Sequence, residues 1–178
     1  MKAIVYTRPN HLELKEIPIP SLNQALIKVS VCGICGTDIS ILQGKHPRAK
    51  PPLVLGHEFS GEVVEIKDSQ KGSTFKRGDK VIAFPLIYCG QCLSCRTGNE
   101  HVCRNLKMIG IDRAGGMAEY VSIPFNMLVK IEDAIFPQVA ALIEPLAVAV
   151  HSIRESGSRE GTEERENYPG VAWREETP

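Results

Sequence analysis

The sequence predicts a mainly β fold with a few helices, a small barrel or sandwich followed by one helical stretch and an unpatterned tail. Three observations predict it. Short runs of alternating apolar and polar residues recur along the first two thirds of the chain. Proline and glycine punctuate them, at Pro18, Pro20, Pro47, Pro51, Pro52, Gly56 and Gly78. Near Phe136 the alternation gives way to an Ala/Leu-rich segment without turn residues.

Residues 2–6 and 24–31 alternate as half-buried strands do. Residues 62–66 and 80–84 read the same way, separated by the turn-rich KDSQKGSTFKRGD. Residues 118–122 form another expected strand, entered through Gly115 and Gly116. Many short strands with frequent turn signals argue for a small all-β layer architecture. The stretch PQVAALIEPLAVAVHSI, residues 137–153, reads as a helix. Pro137 suits its first turn, and Pro145, beside Glu144, is expected to interrupt or kink it. From Gly157 onward three Arg and six Glu are mixed with turn residues and almost no apolar pattern. Residues 156–178 are therefore expected to be a polar, disordered tail, and 1–155 the folded domain.

The chain has 178 residues with 21 Lys+Arg against 21 Asp+Glu, so its formal charge is zero and exerts no global pull on nucleic acid or an anionic membrane. The start MKAIVYTRPN lacks the apolar segment of a secretion signal, and no apolar run approaches a membrane span. The expectation is a cytoplasmic protein without nucleic-acid or membrane partners, in a compartment that keeps thiols reduced. Clustered cysteines there read as metal ligands.

Four of the six cysteines, Cys89, Cys92, Cys95 and Cys103, follow the spacing C-x2-C-x2-C-x7-C. Two-residue gaps let tight turns aim successive thiols inward, and Gly90 and Gly98 ease those turns. Four thiolates close a tetrahedral zinc and leave no open position, so the segment 88–104 reads as a structural zinc lobe. An iron–sulfur cluster is the competing reading, but that motif brings its fourth cysteine after three residues and follows it with proline, whereas Arg104 follows Cys103 here. No gap leaves room for the recognition helix of a nucleic-acid zinc finger.

A second constellation is more open. VCGICGTD places Cys32, Cys35, Thr37 and Asp38 after a strand, GHEFSG places His57 and Glu58 before another, and IEP places Glu144 in the helix. Each has a plain reading: core thiols or a redox pair at Cys32 and Cys35, a buried histidine at His57, a surface carboxylate at Glu144. Glu144 nevertheless sits among Ala141, Leu142, Ile143, Leu146 and Val148, where an ionised carboxylate needs a partner. Cys35, His57 and Glu144 together make a mixed sulfur, nitrogen and oxygen site, with Glu58 as a fourth ligand or one that exchanges with water. One thiolate and one carboxylate neutralise a divalent ion, which leaves it more Lewis acidic than four thiolates do.

The ordered set CGICGTD, GHEFSGEVVEI, KRGDKV, CGQCLSC with its later cysteine, GGMAEY and LIEPLAVAVH resembles the zinc-dependent medium-chain alcohol and polyol dehydrogenases over roughly residues 1–155. The resemblance implies a GroES-like β-barrel catalytic domain with two zinc ions. By motif position Cys35, His57, Glu58 and Glu144 correspond to the catalytic zinc environment, and Cys89, Cys92, Cys95 and Cys103 to the structural lobe. Thr37 matches a hydroxyl that relays the substrate proton, and Asp38 a carboxylate that orients the zinc histidine. Glu58 directly after His57, with Glu144 before proline, is similar to the sorbitol, threonine and sugar-acid branch. The implied reaction oxidises a secondary alcohol, in a polyol or hydroxy acid, to a ketone, with hydride passing to NAD or NADP. The alternative is a two-zinc structural or interaction module that does no redox chemistry.

The chain departs from that family in two ways. It contains no G-x-G, so the glycine-rich turn of a dinucleotide-binding domain is missing, and with it any site for NAD or NADP. The loss of pattern after HSIRES raises the expectation of a frameshift or truncation near codon 156, which a glycine-rich fingerprint in another frame downstream would support and its absence refute. Ile39, Ser40 and Ile41 follow Asp38 where some relatives carry a relay histidine, so a relay falls to Ser40, a ribose hydroxyl or water.

Overall fold

A computed structural model of the chain describes residues 1–67 and 74–156. The expected tail from 157 and the middle of the turn-rich segment, 68–73, lie outside the described residues. The described chain falls into a unit Met1–Leu146 and a second unit beginning at Ala147.

The chain opens with a hairpin, β1 (Lys2–Arg8) against β2 (His11–Glu16), in the register Ile4↔Leu14 and Tyr6↔Leu12. Its turn uses Asn10 at φ 59°, a left-handed conformation that asparagine tolerates. A two-residue strand, β4 (Leu53–Val54), pairs on the other side of β1. The larger sheet has the order β10-β6-β5-β3-β9, built from β3 (Ala25–Cys32), β5 (Phe59–Ile66), β6 (Lys80–Ala83), β9 (Tyr120–Ile123) and β10 (Leu128–Lys130). Ala118 bridges to Ala3, and Val29 N donates to Glu119 O at 3.0 Å, so the approach to β9 sews the two sheets together. A third, two-stranded ribbon joins β7 (Leu86–Ile87) to β8 (Lys107–Met108) and closes the base of the four-cysteine segment.

The alternation seen in the sequence sets the core. Ala25 and Ile27 of β3, Phe59 and Val63 of β5, Val81 and Ala83 of β6, and Val121 and Ile123 of β9 pack into one buried cluster. Each large aliphatic side chain buried this way contributes about 2 kcal/mol relative to leaving it in water. Tyr6, Ile41, Leu53, Leu55 and Ile111 form a second cluster under α1 (Gly36–Leu42).

The five expected strands are all present, within three residues of their expected bounds. The helix is divided differently. α3 (Pro137–Ala141) stops at Leu142 and α4 (Ile143–Glu155) begins at once, so the break falls before Pro145 instead of at it. A proline ring inside a continuous helix would strike the carbonyl four residues earlier, here that of Ala141. Restarting at Ile143 puts Pro145 in a first turn, where its missing N–H costs nothing. No helix among the described residues is long and apolar enough to cross a membrane.

One buried carboxylate pins the sheet edge. Asp79 is 3% exposed; its Oδ1 meets Lys130 Nζ at 2.8 Å and its Oδ2 accepts from Lys76 N at 2.9 Å. Burial pushes the Asp79 pKa up, but Lys130 and the Lys76 N–H together overcome it and hold the carboxyl below its usual range. The unfolded chain then binds this proton more readily, so the contribution is complete above the ordinary carboxylate pKa and fades as the pH falls through the lowered one. Asp79→Asn is expected to cost about 2 kcal/mol at neutral pH, the scale of a charge-assisted hydrogen bond. Melting curves at pH 7 and pH 3 check this, and an equal cost at both would contradict the assignment.

Candidate metal centres

The pairing of β3 with β5 builds the open cluster. Cys32 lies opposite Phe59, so the end of β3 and the start of β5 are neighbours. Gly33 N extends the ladder by donating to Glu58 O at 2.7 Å. Cys35, just past β3, is therefore delivered beside His57 and Glu58, just before β5. One ligand atom from each of Cys35, His57 and Glu58 lies within 4.8 Å of the others.

Asp38 holds the two backbones in place. Cys35 is the N-cap of α1, its sulfur accepting from Thr37 N at 3.5 Å, while Asp38 Oδ2 accepts from Cys35 N at 2.9 Å. The same carboxylate reaches across with Oδ1 to accept from Gly56 N at 3.2 Å. Asp38 is thus a clamp between the residue at Cys35 and the one before His57. Its Oδ1 is 3.8 Å from His57 Nδ1, beyond hydrogen-bond reach. His57 Nδ1 is buried without a hydrogen-bond partner, in a residue 2% exposed overall. That nitrogen faces Asp38, while a thiol, an imidazole and a carboxylate brought within 4.8 Å of one another form the mixed donor set that fits a divalent metal.

Gly56 shapes the turn that carries His57. Its φ is +92°, and a Cβ there would lie 2.5 Å from Cys32 Sγ and 2.9 Å from Met117 Cγ. Gly115 N and Met117 N donate to Val54 O and Leu55 O, fixing the turn from its other side. Gly56→Ala combines a disfavoured backbone with a clash and is expected to cost about 2 kcal/mol or more while displacing His57. Thermal melting together with metal affinity checks it, and a variant as stable as the parent would contradict it.

Glu144 stands outside the group formed by Cys35, His57 and Glu58. It is half-buried, and burial, with Glu58 nearby, raises its pKa while His57 acts in the opposite sense. Its approach is set by α3, anchored to β5 through Ser60 Oγ donating to Pro137 O at 2.8 Å. Cys32 is not in the group either. Burial, then Asp38 and Glu58, push its thiol up to about 12, which suits a packed core thiol and not the nucleophile of a redox pair. Thr37 Oγ1 lies 3.7 Å from Cys35 Sγ, at the edge of the cluster.

The second centre is self-contained. Sulfur separations are 3.4 Å for Cys92–Cys95, 3.5 Å for Cys89–Cys103, and 3.9 Å for both Cys89–Cys95 and Cys92–Cys103. Zinc–sulfur bonds of about 2.3 Å in a tetrahedron place the sulfurs about 3.8 Å apart, so the four thiols already approximate the required cage. Backbone N–H groups converge on the sulfurs. Those of Cys89 and Asn105 donate to Cys103 Sγ at 3.4 and 3.3 Å. Those of Gln91 and Cys92 lower the Cys89 pKa, and those of Cys95 and Arg104 lower Cys92 to about 6. Burial and then the Cys92 sulfur raise Cys95 to about 12. Such donors stabilise thiolates, and an arriving cation displaces the remaining protons. The sequence named the four sulfurs but not these amides, which no residue type announces.

This fold, with its closed four-thiol lobe and its separate cysteine–histidine–glutamate cluster, defines a metal-binding domain of the zinc-type alcohol dehydrogenase class. Residues 21–133 match the alcohol dehydrogenase GroES-like domain, and the chain belongs to that family. It is 39% identical over 163 residues to L-galactonate-5-dehydrogenase of Escherichia coli K12, covering 90% of this chain and 47% of the relative. It is 44% identical over 167 residues to L-threonine 3-dehydrogenase of Bacillus velezensis, covering 90% of this chain and 48% of the relative. Among solved structures, a zinc-binding dehydrogenase from Sinorhizobium meliloti bound to NADP matches with a TM-score of 0.79 at 38% identity, over 86% of this chain and 45% of that one. Galactitol-1-phosphate dehydrogenase from Escherichia coli matches with a TM-score of 0.82 at 27% identity, over 88% of this chain and 45% of that one. The chain spans about half the length of the curated relatives it matches.

Proposed function

We propose that this chain is the catalytic domain of a zinc-dependent, NAD(P)-linked dehydrogenase that oxidises a secondary alcohol of a polyol, sugar acid or hydroxy amino acid to a ketone. Residues 1–155 form that domain in this reading, with 88–104 as its structural zinc lobe. The observation that carries the reading is the convergence of one ligand atom each from Cys35, His57 and Glu58 within 4.8 Å, with the half-buried Glu144 carboxylate feeling both His57 and Glu58. These residues hold the catalytic zinc, and Cys89, Cys92, Cys95 and Cys103 hold the structural one.

A zinc ion in the open centre supplies a Lewis acid that lowers the pKa of a substrate hydroxyl. The chain's own residues do the rest. Cys35, at the cap of α1, and His57, just before β5, fix the ligand frame, and Asp38 locks the two backbones together. Thr37 is the group placed to accept the hydroxyl proton. Ser40 lies three residues on, on the same face of α1, and passes the proton toward solvent. NAD or NADP, when bound, would supply the hydride acceptor.

Cobalt replacement tests the reading. A Co2+-loaded chain is expected to carry two ions, one rapidly removed by a chelator, and the spectrum of that labile ion should change saturably with L-threonine, a sugar acid or a polyol. Cys35→Ser should abolish the change. A loaded open centre that responds to none of the three alcohols would sink the dehydrogenase reading, and a single tightly held ion would favour a structural module.

A further inference from the structure

We infer that Gly33 is a positioning residue for the Glu58 carboxylate: its missing side chain makes the space in which that carboxylate joins Cys35 and His57. A Cβ built on Gly33 would lie 2.6 Å from Glu58 Oε2, 3.2 Å from Glu58 Cβ and 3.5 Å from Glu58 O. All three nearest neighbours belong to Glu58. Gly33 is not among the glycines with positive φ, so no left-handed backbone calls for glycine there. What glycine provides is room, and the atom that most needs it is an oxygen of the Glu58 carboxylate, the group that joins Cys35 and His57.

The remaining contacts make the effect specific. At Gly61 and Gly115 the added atom would meet backbone carbonyls, which cannot move without distorting the fold. At Gly33 the closest atom is the far end of a flexible side chain, which moves by changing rotamer. The Gly33 N–H to Glu58 O hydrogen bond ties the two backbones at 2.7 Å, so neither main chain can retreat to make space. A methyl group at position 33 therefore swings the carboxylate away and leaves the ladder intact. The cluster then keeps its sulfur and its imidazole but loses the oxygen ligand whose place Gly33 guards.

This inference rests on reading Cys35, His57 and Glu58 as a metal centre, and the experiment separates the two. The full-length chain is loaded with Co2+ as parent, Gly33→Ala, Glu58→Ala and the double variant. Cys35→Ser identifies the part of the visible spectrum that belongs to the open centre. Gly33→Ala is expected to alter those bands and to speed removal of the labile ion by EDTA about tenfold, the scale on which ligand-supporting groups act. Glu58→Ala should do the same, and adding Gly33→Ala to it should change nothing further. The ion in the four-thiol lobe and the melting temperature should stay as in the parent. Parent-like spectra and removal rates in Gly33→Ala would overturn the inference, as would a full additional effect on the Glu58→Ala background or loss of the fold. If neither Cys35→Ser nor Glu58→Ala alters any band, the metal centre itself is refuted and the inference goes with it.

Discussion

Cys89→Ser is expected to lower the melting temperature by about 10 °C and to release the metal of the four-thiol lobe. The magnitude follows from how little else holds that lobe. Its larger apolar residues face water: Leu93 is 65% exposed and Val102 59%. Its buried side chains include two of the ligands themselves, Cys92 and Cys103. The ribbon beneath it pairs strands of two residues each. A segment with so little apolar burial would keep its shape through a bound ion, and structural zinc sites contribute folding free energy directly. A loss of about 3–4 kcal/mol shifts a chain of this size by roughly 10 °C. Scanning calorimetry with metal analysis checks it; a Cys89→Ser protein that keeps its ion and its melting temperature would show that another device holds the lobe.

Cys35→Ser has the opposite profile. It is expected to empty the open centre, with a loss of metal affinity of about a hundredfold or more, and to leave the melting temperature within a few degrees of the parent. Serine is among the favoured N-cap residues, so the cap of α1 and the reciprocal Asp38 bond to the residue-35 amide persist. What disappears is the soft thiolate, for which a neutral hydroxyl is a poor substitute at zinc. Competition with a chelating dye measures the affinity, and circular dichroism the fold. Equal unfolding by Cys35→Ser and Cys89→Ser would contradict the division of roles between the centres.

The contrast between the centres also explains what was legible in the sequence. The sulfur lobe reads directly from spacing because its ligands are local, and local geometry follows from a few intervening residues. The open cluster depends on the pairing of β3 with β5, so its membership came from resemblance and from the oddity of a carboxylate in an apolar run. Glu144, the residue that oddity singled out, lies near the cluster but outside its tight group. Strands with several alternating residues, such as β3 and β5, were visible; β4, β7 and β8, two residues each, are too short for any period to show. The helix α1 was hidden by Gly36 at its start and by β-branched Thr37, Ile39 and Ile41 within it. It exists because Cys35 and Asp38 cap it and Ile41 is buried beneath it. Gly33 and Gly56 were opaque for a related reason: what a glycine is for depends on which side chain lies across it, and that neighbour is fixed only in three dimensions.

The amides around Cys103 have a consequence for the order in which the protein is made. Every sulfur and every N–H of the lobe described above belongs to residues 89–105, so a growing chain can take up its first ion soon after Asn105 leaves the ribosome. The other centre must wait for Gly115 and Met117 to brace the turn at Gly56, and for Glu144 to arrive seconds later at about 5–20 residues per second. On the proposed reading, metal acquisition is staggered during synthesis: the ion of the four-thiol lobe comes first, and that of the open centre last.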